Sequence, residues 1–216
     1  MRWTGIIFDL DGTLVDSLAD IAAAMNRSLE RLGFGAHPVD AYRTFIGEGV
    51  QKLAERALPK DAQAQRPQLL ALYEADYAAH LVESSVPYPG IPALLDGLTA
   101  RGVPMAVLSN KPDESTRTLV GRLFGRWQFC AVAGERPGVP RKPSPVAALE
   151  LASAMQVPAV KVALVGDTPV DIATARAAGM APVGVLWGFR PKEVSDSGVT
   201  TVRRPDELLA LLTGVG

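Results

Sequence analysis

The chain has 216 residues, 48% hydrophobic and 21% charged, with 22 Lys and Arg against 23 Asp and Glu and a net charge of −1. That length suits one large domain or one domain with an insert, at roughly 150 residues per domain, and the near-balance of charge argues against nucleic acid or an anionic membrane as the main partner. One cysteine excludes an intrachain disulfide, and no apolar run approaches the roughly 18 residues of a membrane span. The first apolar run breaks at Asp9 and follows only Arg2, unlike a signal peptide, so a cytoplasmic protein is expected. Cys130 sits in an apolar segment and is expected to be a buried structural thiol.

In chain order, the apolar run 5–8 reads as a buried strand and ends in Asp9-Leu10-Asp11-Gly12-Thr13. Ser17 is a good helix N-cap, with Asp20 three residues on as an approximate capping box, and apolar spacing of three and four predicts a helix over 18–32. From 39 to about 83 every segment reads helical: 40–46, 50–58 and 67–82. After Tyr88-Pro89-Gly90 the rhythm changes. Helices are expected at 91–101, 113–124, 144–155, 169–178 and 206–212, with strands at 103–108, 129–133, 161–165, 183–187 and 199–202.

Alternating helices and continuous apolar strands predict a doubly wound, Rossmann-like parallel α/β sheet covered on both faces. The all-helical stretch 17–84 reads as an inserted cap domain on a core of 1–16 and 85–216, with hinges near Asp16 and Ser85. In strand order 3-2-1-4-5 the ends of the first, second and fourth strands meet at the switch point where ligands bind. Those ends carry Asp9 with Asp11, Ser109 with Asn110, and Asp167. Asp9 and Asp11, two apart, leave a strand on one side and stay ionised together only beside a cation. Each piece has a plainer reading as turn or cap chemistry. Thr168-Pro169-Val170-Asp171 alone satisfies a capping box, which leaves Asp167 outside it. Lys142, between Pro140 and Pro143, is held in a stiffened loop that suits a fixed charge; Arg141 is the competing cation.

Asp9-Leu10-Asp11-Gly12-Thr13, Ser109-Asn110, Lys142-Pro143 and Gly166-Asp167, in that order, resemble the four motifs of the haloacid dehalogenase superfamily of phosphotransferases. Tyr88-Pro89-Gly90, Ser109-Asn110-Lys111-Pro112 and Gly184-Val185-Leu186-Trp187-Gly188 look most like phosphoglycolate phosphatases within it. The resemblance implies Asp9 as nucleophile and Asp11 as general acid and base, with Asp11 also ligating a metal through its backbone carbonyl. Ser109 holds the transferring phosphoryl group, and Lys142 pairs with nucleophile and phosphate. Gly12, Thr13, Ser109, Asn110 and Lys142 are the expected phosphate-binding positions, and Asp9, Asp11 and Asp167 the metal set, with Thr168 and Asp171 supporting. Magnesium suits such oxygen ligands, because it keeps several waters and takes one or two carboxylates plus a phosphate oxygen.

The expected activity is magnesium-dependent hydrolysis of a small phosphate monoester, phosphoglycolate first, through an aspartyl phosphate. The alternatives are a phosphomutase, a sugar or other metabolite phosphatase, and a non-catalytic phosphate-binding domain. The expected partner is a small phosphorylated metabolite, with neither nucleic acid nor membrane, on a monomer. Gly47-Glu48-Gly49 reads either as a substrate-facing turn of the cap or as a plain interhelical turn. If it faces substrate, Glu48 would repel a second anion unless Arg43 or Lys52 compensates. The two histidines, His37 and His80, both fall in the cap region, and no Gly-x-Ser-x-Gly elbow occurs, which argues against a serine hydrolase.

Overall fold

The computed structural model describes residues 3–214; the outermost positions of the expected core, 1–2 and 215–216, lie outside the described residues. Strand β1 (Gly5–Phe8) opens the chain and is wholly buried. β2 (Val15–Asp16) leads into α1 (Leu18–Arg31), followed by α2 (Tyr42–Phe45), α3 (Val50–Ala57) and α4 (Arg66–Ala79). β3 (Val86–Pro87) pairs antiparallel with β2, Val15 opposite Pro87. The chain then alternates: α5 (Ile91–Thr99), β4 (Met105–Pro112), α6 (Asp113–Phe124), β5 (Ala131–Glu135), α7 (Val146–Ala154), β6 (Val162–Gly166), α8 (Pro169–Ala177), β7 (Ala181–Val185), α9 (Pro191–Asp196), β8 (Thr200–Val202) and α10 (Pro205–Thr213).

Six strands form one sheet in the order β5-β4-β1-β6-β7-β8, every adjacent pair parallel. Side-chain alternation sorts the strands between two apolar layers, as expected of a sheet buried on both faces. Ile6, Phe8, Val107, Ala163 and Val165 join the larger layer, which continues into the helices of 18–81 through Ile21, Leu53, Leu69 and Tyr73. Ile7, Ala106, Leu108, Leu164 and Ala175 form the opposite layer. None of the helices among the described residues is long and apolar enough to cross a membrane.

Several local expectations are corrected. Ser17 does not cap α1 with its side chain; its hydroxyl donates to Asp11 Oδ1 at 2.6 Å. Asp20, buried on the first turn of α1, instead accepts the N–H groups of Ser84 and Ser85 and the Ser85 hydroxyl. One carboxylate thus ties the return crossing of the helical segment to its start. The β2–β3 ribbon was not expected, because two-residue strands carry no periodic signal. Helix α9, six residues long, also escaped the periodicity. Cys130 is exposed rather than buried: the edge strand β5 begins two residues later than its apolar neighbours suggested, which leaves Cys130 just before it.

β4 runs past Leu108 to Pro112, and its pairing with β5 shifts register there, four β4 residues spanning two of β5. Such an irregularity re-aims side chains. Here it falls on Ser109, Asn110 and Lys111.

Candidate active site

Asp9 follows β1, its N–H bonded to Val165 O of β6. The chain then turns at Gly12, whose φ of +87° favours glycine. Asp9 Oδ1 accepts the Leu10 N–H at 2.7 Å and lies 2.8 Å from Lys142 Nζ. The same ammonium donates to Asp171 Oδ1 at 2.6 Å and to Leu108 O at 3.2 Å, which uses its three N–H donors. Asn110 fixes the Lys142 backbone from both sides, accepting its N–H at 2.8 Å and donating to its carbonyl at 3.0 Å. Asp171 Oδ2 takes the Thr168 N–H and hydroxyl, closing the capping box of α8.

Asp167, at the end of β6, is fully buried. Thr13 Oγ1 donates to its Oδ1 at 3.0 Å and the Phe189 N–H to its Oδ2 at 2.7 Å. One carboxylate oxygen each from Asp9, Asp167 and Asp171 lies within 4.8 Å of the others. Burial, then repulsion from Asp171, raises the Asp9 carboxyl well above the ordinary range, with Lys142 opposing. Burial and Asp171 likewise raise Asp167 to about 7, against the hydrogen bonds from Phe189 and Thr13. Burial disfavours the Lys142 ammonium, but Asp171 and Asp9 outweigh it and raise its pKa. Three clustered carboxylates around one ammonium leave the site short of positive charge, and their hard oxygen atoms suit a divalent cation such as magnesium. Asp171 Oδ1 is taken by the Lys142 ammonium and its Oδ2 by the capping box, whereas Asp167 has only neutral donors and Asp9 Oδ2 is left open, so Asp9 and Asp167 are the better candidates to hold it.

Asp11 lies apart from this cluster. Its Oδ1 accepts from Ser17 and its Oδ2 pairs with Lys111 Nζ at 3.1 Å. Its side chain is therefore not among the clustered carboxylates; the expectation for Asp11 as a metal ligand concerns its backbone carbonyl. Lys111 Nζ also donates to Tyr77 OH at 2.9 Å and stands 4.5 Å above that ring.

A cavity of about 390 Å³ opens here, with Asp9, Asp11, Ser109, Lys111 and Lys142 on its core side and Ile46, Leu53, Tyr73 and Tyr77 on its helical side. Ser109, Asn110, Gly47 and Gly49 also line it. Asn110 reaches the helical segment as well as Lys142, donating to Gly47 O at 3.1 Å, so its amide is already engaged instead of waiting for an anion. Gly12 and Thr13 do not line the cavity. The Thr13 hydroxyl is held by Asp167, and a Cβ at Gly12 would fall 2.2 Å from Asp167 Oδ2; both shape the acidic cluster. The expectations for the cations around Gly47-Glu48-Gly49 are corrected too. Arg43 pairs with Asp40 and Lys52 with Glu55. Glu48 turns to Arg56, whose hydrogen bond holds its carboxyl below the usual range. None of Arg43, Glu48 and Lys52 lines the cavity.

Sequence reasoning quoted Trp187-Gly188 only for the resemblance and missed what Trp187-Gly188-Phe189-Arg190 does. Trp187 Nε1 donates to Thr13 O at 3.0 Å, Gly188 leaves room for Asp167 and Gly12 O, and Arg190 donates to Thr44 O and Ile46 O at 2.9 Å each. The bulky-then-Gly pattern after β7 was the available signal. Lys111 was missed because the strand was expected to end at Leu108.

The model of the haloacid dehalogenase-like hydrolases matches residues 3–179. The chain belongs to the haloacid dehalogenase-like hydrolase family. This haloacid dehalogenase-like hydrolase is 34% identical over 207 residues to the phosphoglycolate phosphatase of Aquifex aeolicus, covering 96% of this chain and 95% of the relative. It is 36% identical over 225 residues to that of Pseudomonas putida, covering 97% and 78%. A crystal structure from Lactobacillus delbrueckii subsp. bulgaricus superposes with a TM-score of 0.92 at 30% identity, covering 98% and 99% of the two chains. The hydrolase's fold therefore agrees with the parallel α/β sheet expected from its sequence.

Proposed function

We propose that this hydrolase is a magnesium-dependent phosphatase that releases phosphate from phosphoglycolate through an aspartyl phosphate on Asp9. The observation that carries the reading is the pairing of Lys142 with Asp9 at 2.8 Å on the cavity wall, beside the buried carboxylates of Asp167 and Asp171. The names of the relatives support the substrate. Residues 17–84 act as the cap, residues 1–16 and 85–216 as the core.

Asp9 and Asp167 would hold the magnesium, with the Asp11 backbone carbonyl as the family resemblance implies. When bound, the cation offsets the repulsion between a carboxylate and a doubly negative phosphate. Asp9 Oδ1 is held by Leu10 and Lys142, which leaves Oδ2 to attack phosphorus. The new O–P bond forms as the ester O–P bond breaks, and Asp11 gives its proton to the departing alkoxide. Lys142 lowers the cost of charge spreading over the phosphoryl oxygens, and Ser109 offers them its hydroxyl. Asp11 then takes a proton from the water that attacks phosphorus, and the acyl phosphate bond breaks to return Asp9 and free phosphate.

A sugar phosphate is the second reading, because a cavity of about 390 Å³ has room for a leaving group larger than glycolate. Phosphate release measured across phosphoglycolate and a panel of sugar phosphates, each with magnesium and with a chelator, tests both. Phosphoglycolate turning over fastest, and only with magnesium, is the expected result; activity indifferent to the chelator would contradict the reading.

A further inference from the structure

Glycolate brings a carboxylate into a site already rich in acids, so a phosphoglycolate phosphatase needs a cation to receive it. The cap does not provide one: Arg43 and Lys52 are paired with Asp40 and Glu55 and stay outside the cavity. The remaining ammonium of the cavity wall besides Lys142 is that of Lys111.

We propose that Lys111 is the residue that recognises the carboxylate of the leaving group, so that this site selects phosphate monoesters with an acid beside the ester oxygen. The inference rests on the phosphatase reading above. Lys111 meets three requirements at once. It is placed: the irregular end of β4 sets it two residues from Ser109, both on the cavity wall. It is held: Asp11 Oδ2 at 3.1 Å, Tyr77 OH at 2.9 Å and the Tyr77 ring fix the ammonium of a residue only 7% exposed. It has capacity: an ammonium carries three N–H donors, and two have protein partners. Its contact with Asp11 also sets it beside the group assigned to the leaving oxygen, where a carboxylate one carbon away must lie. A second phosphate suits the place less well than a carboxylate, because Glu74 and Glu114 share the wall and a double negative charge is repelled more strongly.

The test compares phosphoglycolate with ethylene glycol monophosphate, which keeps the two-carbon chain and replaces the carboxylate with an alcohol. A charge-assisted hydrogen bond in a buried site corresponds to roughly a 10- to 100-fold preference in kcat/KM. The wild-type enzyme is expected to prefer phosphoglycolate by that factor. Lys111→Met is expected to bring the ratio near one, and Lys111→Gln, which keeps a donor for Asp11, to do the same. A wild-type ratio near one overturns the inference without any variant, so it stays testable if neither variant folds. Equal losses on both esters in the variants, with the ratio kept, overturn it as well, since Lys111 would then act only through Asp11. Hydrolysis of an aryl phosphate but of neither glycol ester removes the inference and spares the phosphatase reading; no phosphate release from any of the three removes both.

Discussion

A Cβ placed on Gly12 would stand 2.2 Å from Asp167 Oδ2, and Gly12 itself holds a φ of +87°. The turn that carries Asp9 and the carboxylate that ends β6 are therefore packed without room for a methyl group. Gly12→Ala meets both the backbone penalty and the clash, together roughly 1–3 kcal/mol. The expected outcome is a folded protein with a lowered thermal midpoint and at least a tenfold loss in kcat, because Asp167 must move. Unchanged turnover would show that its position does not matter to the chemistry.

The acidic cluster predicts a pH dependence of stability in metal-free protein. Asp167 is raised from 3.8 to about 7 by burial and by Asp171, so between those values the native state binds more protons than the unfolded chain. Stability then falls as pH rises: the contribution is fully present below 3.8 and is lost through about 7. Thermal melts with a chelator should show a lower midpoint at pH 8 than at pH 5, and Asp167→Asn should flatten the difference. Magnesium at pH 8 should restore several degrees by binding only the native state. A midpoint that rises from pH 5 to pH 8 in the chelated protein would contradict this.

At the other end of the helical segment, Asp20 accepts three hydrogen bonds from Ser84 and Ser85. Asp20→Ala leaves the two buried Ser85 donors and the Ser84 N–H without their partner, at a cost of roughly 2–4 kcal/mol, or about 4–16 °C in thermal midpoint for a chain of this size. Differential scanning calorimetry checks the size; a shift under a degree would mean that water replaces the carboxylate.

Arg190 links the loop that holds Asp167 to the helical segment, since Phe189 donates to Asp167 and Arg190 to the Thr44 and Ile46 carbonyls. Arg190→Met is expected to raise KM several-fold while kcat changes less, because the cap loop is freed and the reacting groups are not. Glu48→Ala, in contrast, should leave the ranking of substrates unchanged, as Glu48 faces Arg56 and lies outside the cavity. Steady-state kinetics on two esters separates the outcomes.

The sheet was legible because its strands are continuous apolar runs with acidic or hydroxyl ends, and because α6 and α8 open on strong start signals at Asp113 and Pro169. Lys142 was legible through the prolines around it. What stayed hidden depends on contacts far apart in sequence. Ser17 reads as a cap until Asp11 is seen above it. Asp20 reads as half of a capping box until Ser85 arrives 65 residues later. Glu48 reads as a charge either facing substrate or on a plain interhelical turn until Arg56 is seen to hold it. Lys111 falls beyond the expected strand end at 108, because a register shift between two strands leaves no mark in either strand alone.

The central claim is that Asp9, poised by Lys142 and Leu10, carries the phosphoryl group. The most direct measurement is magnesium-dependent phosphate release from phosphoglycolate by the wild-type enzyme and by Asp9→Asn, with folding of the variant checked by its thermal melt. The account predicts turnover by the wild type and a loss of at least about 1000-fold in the folded variant. Comparable release by Asp9→Asn would contradict it.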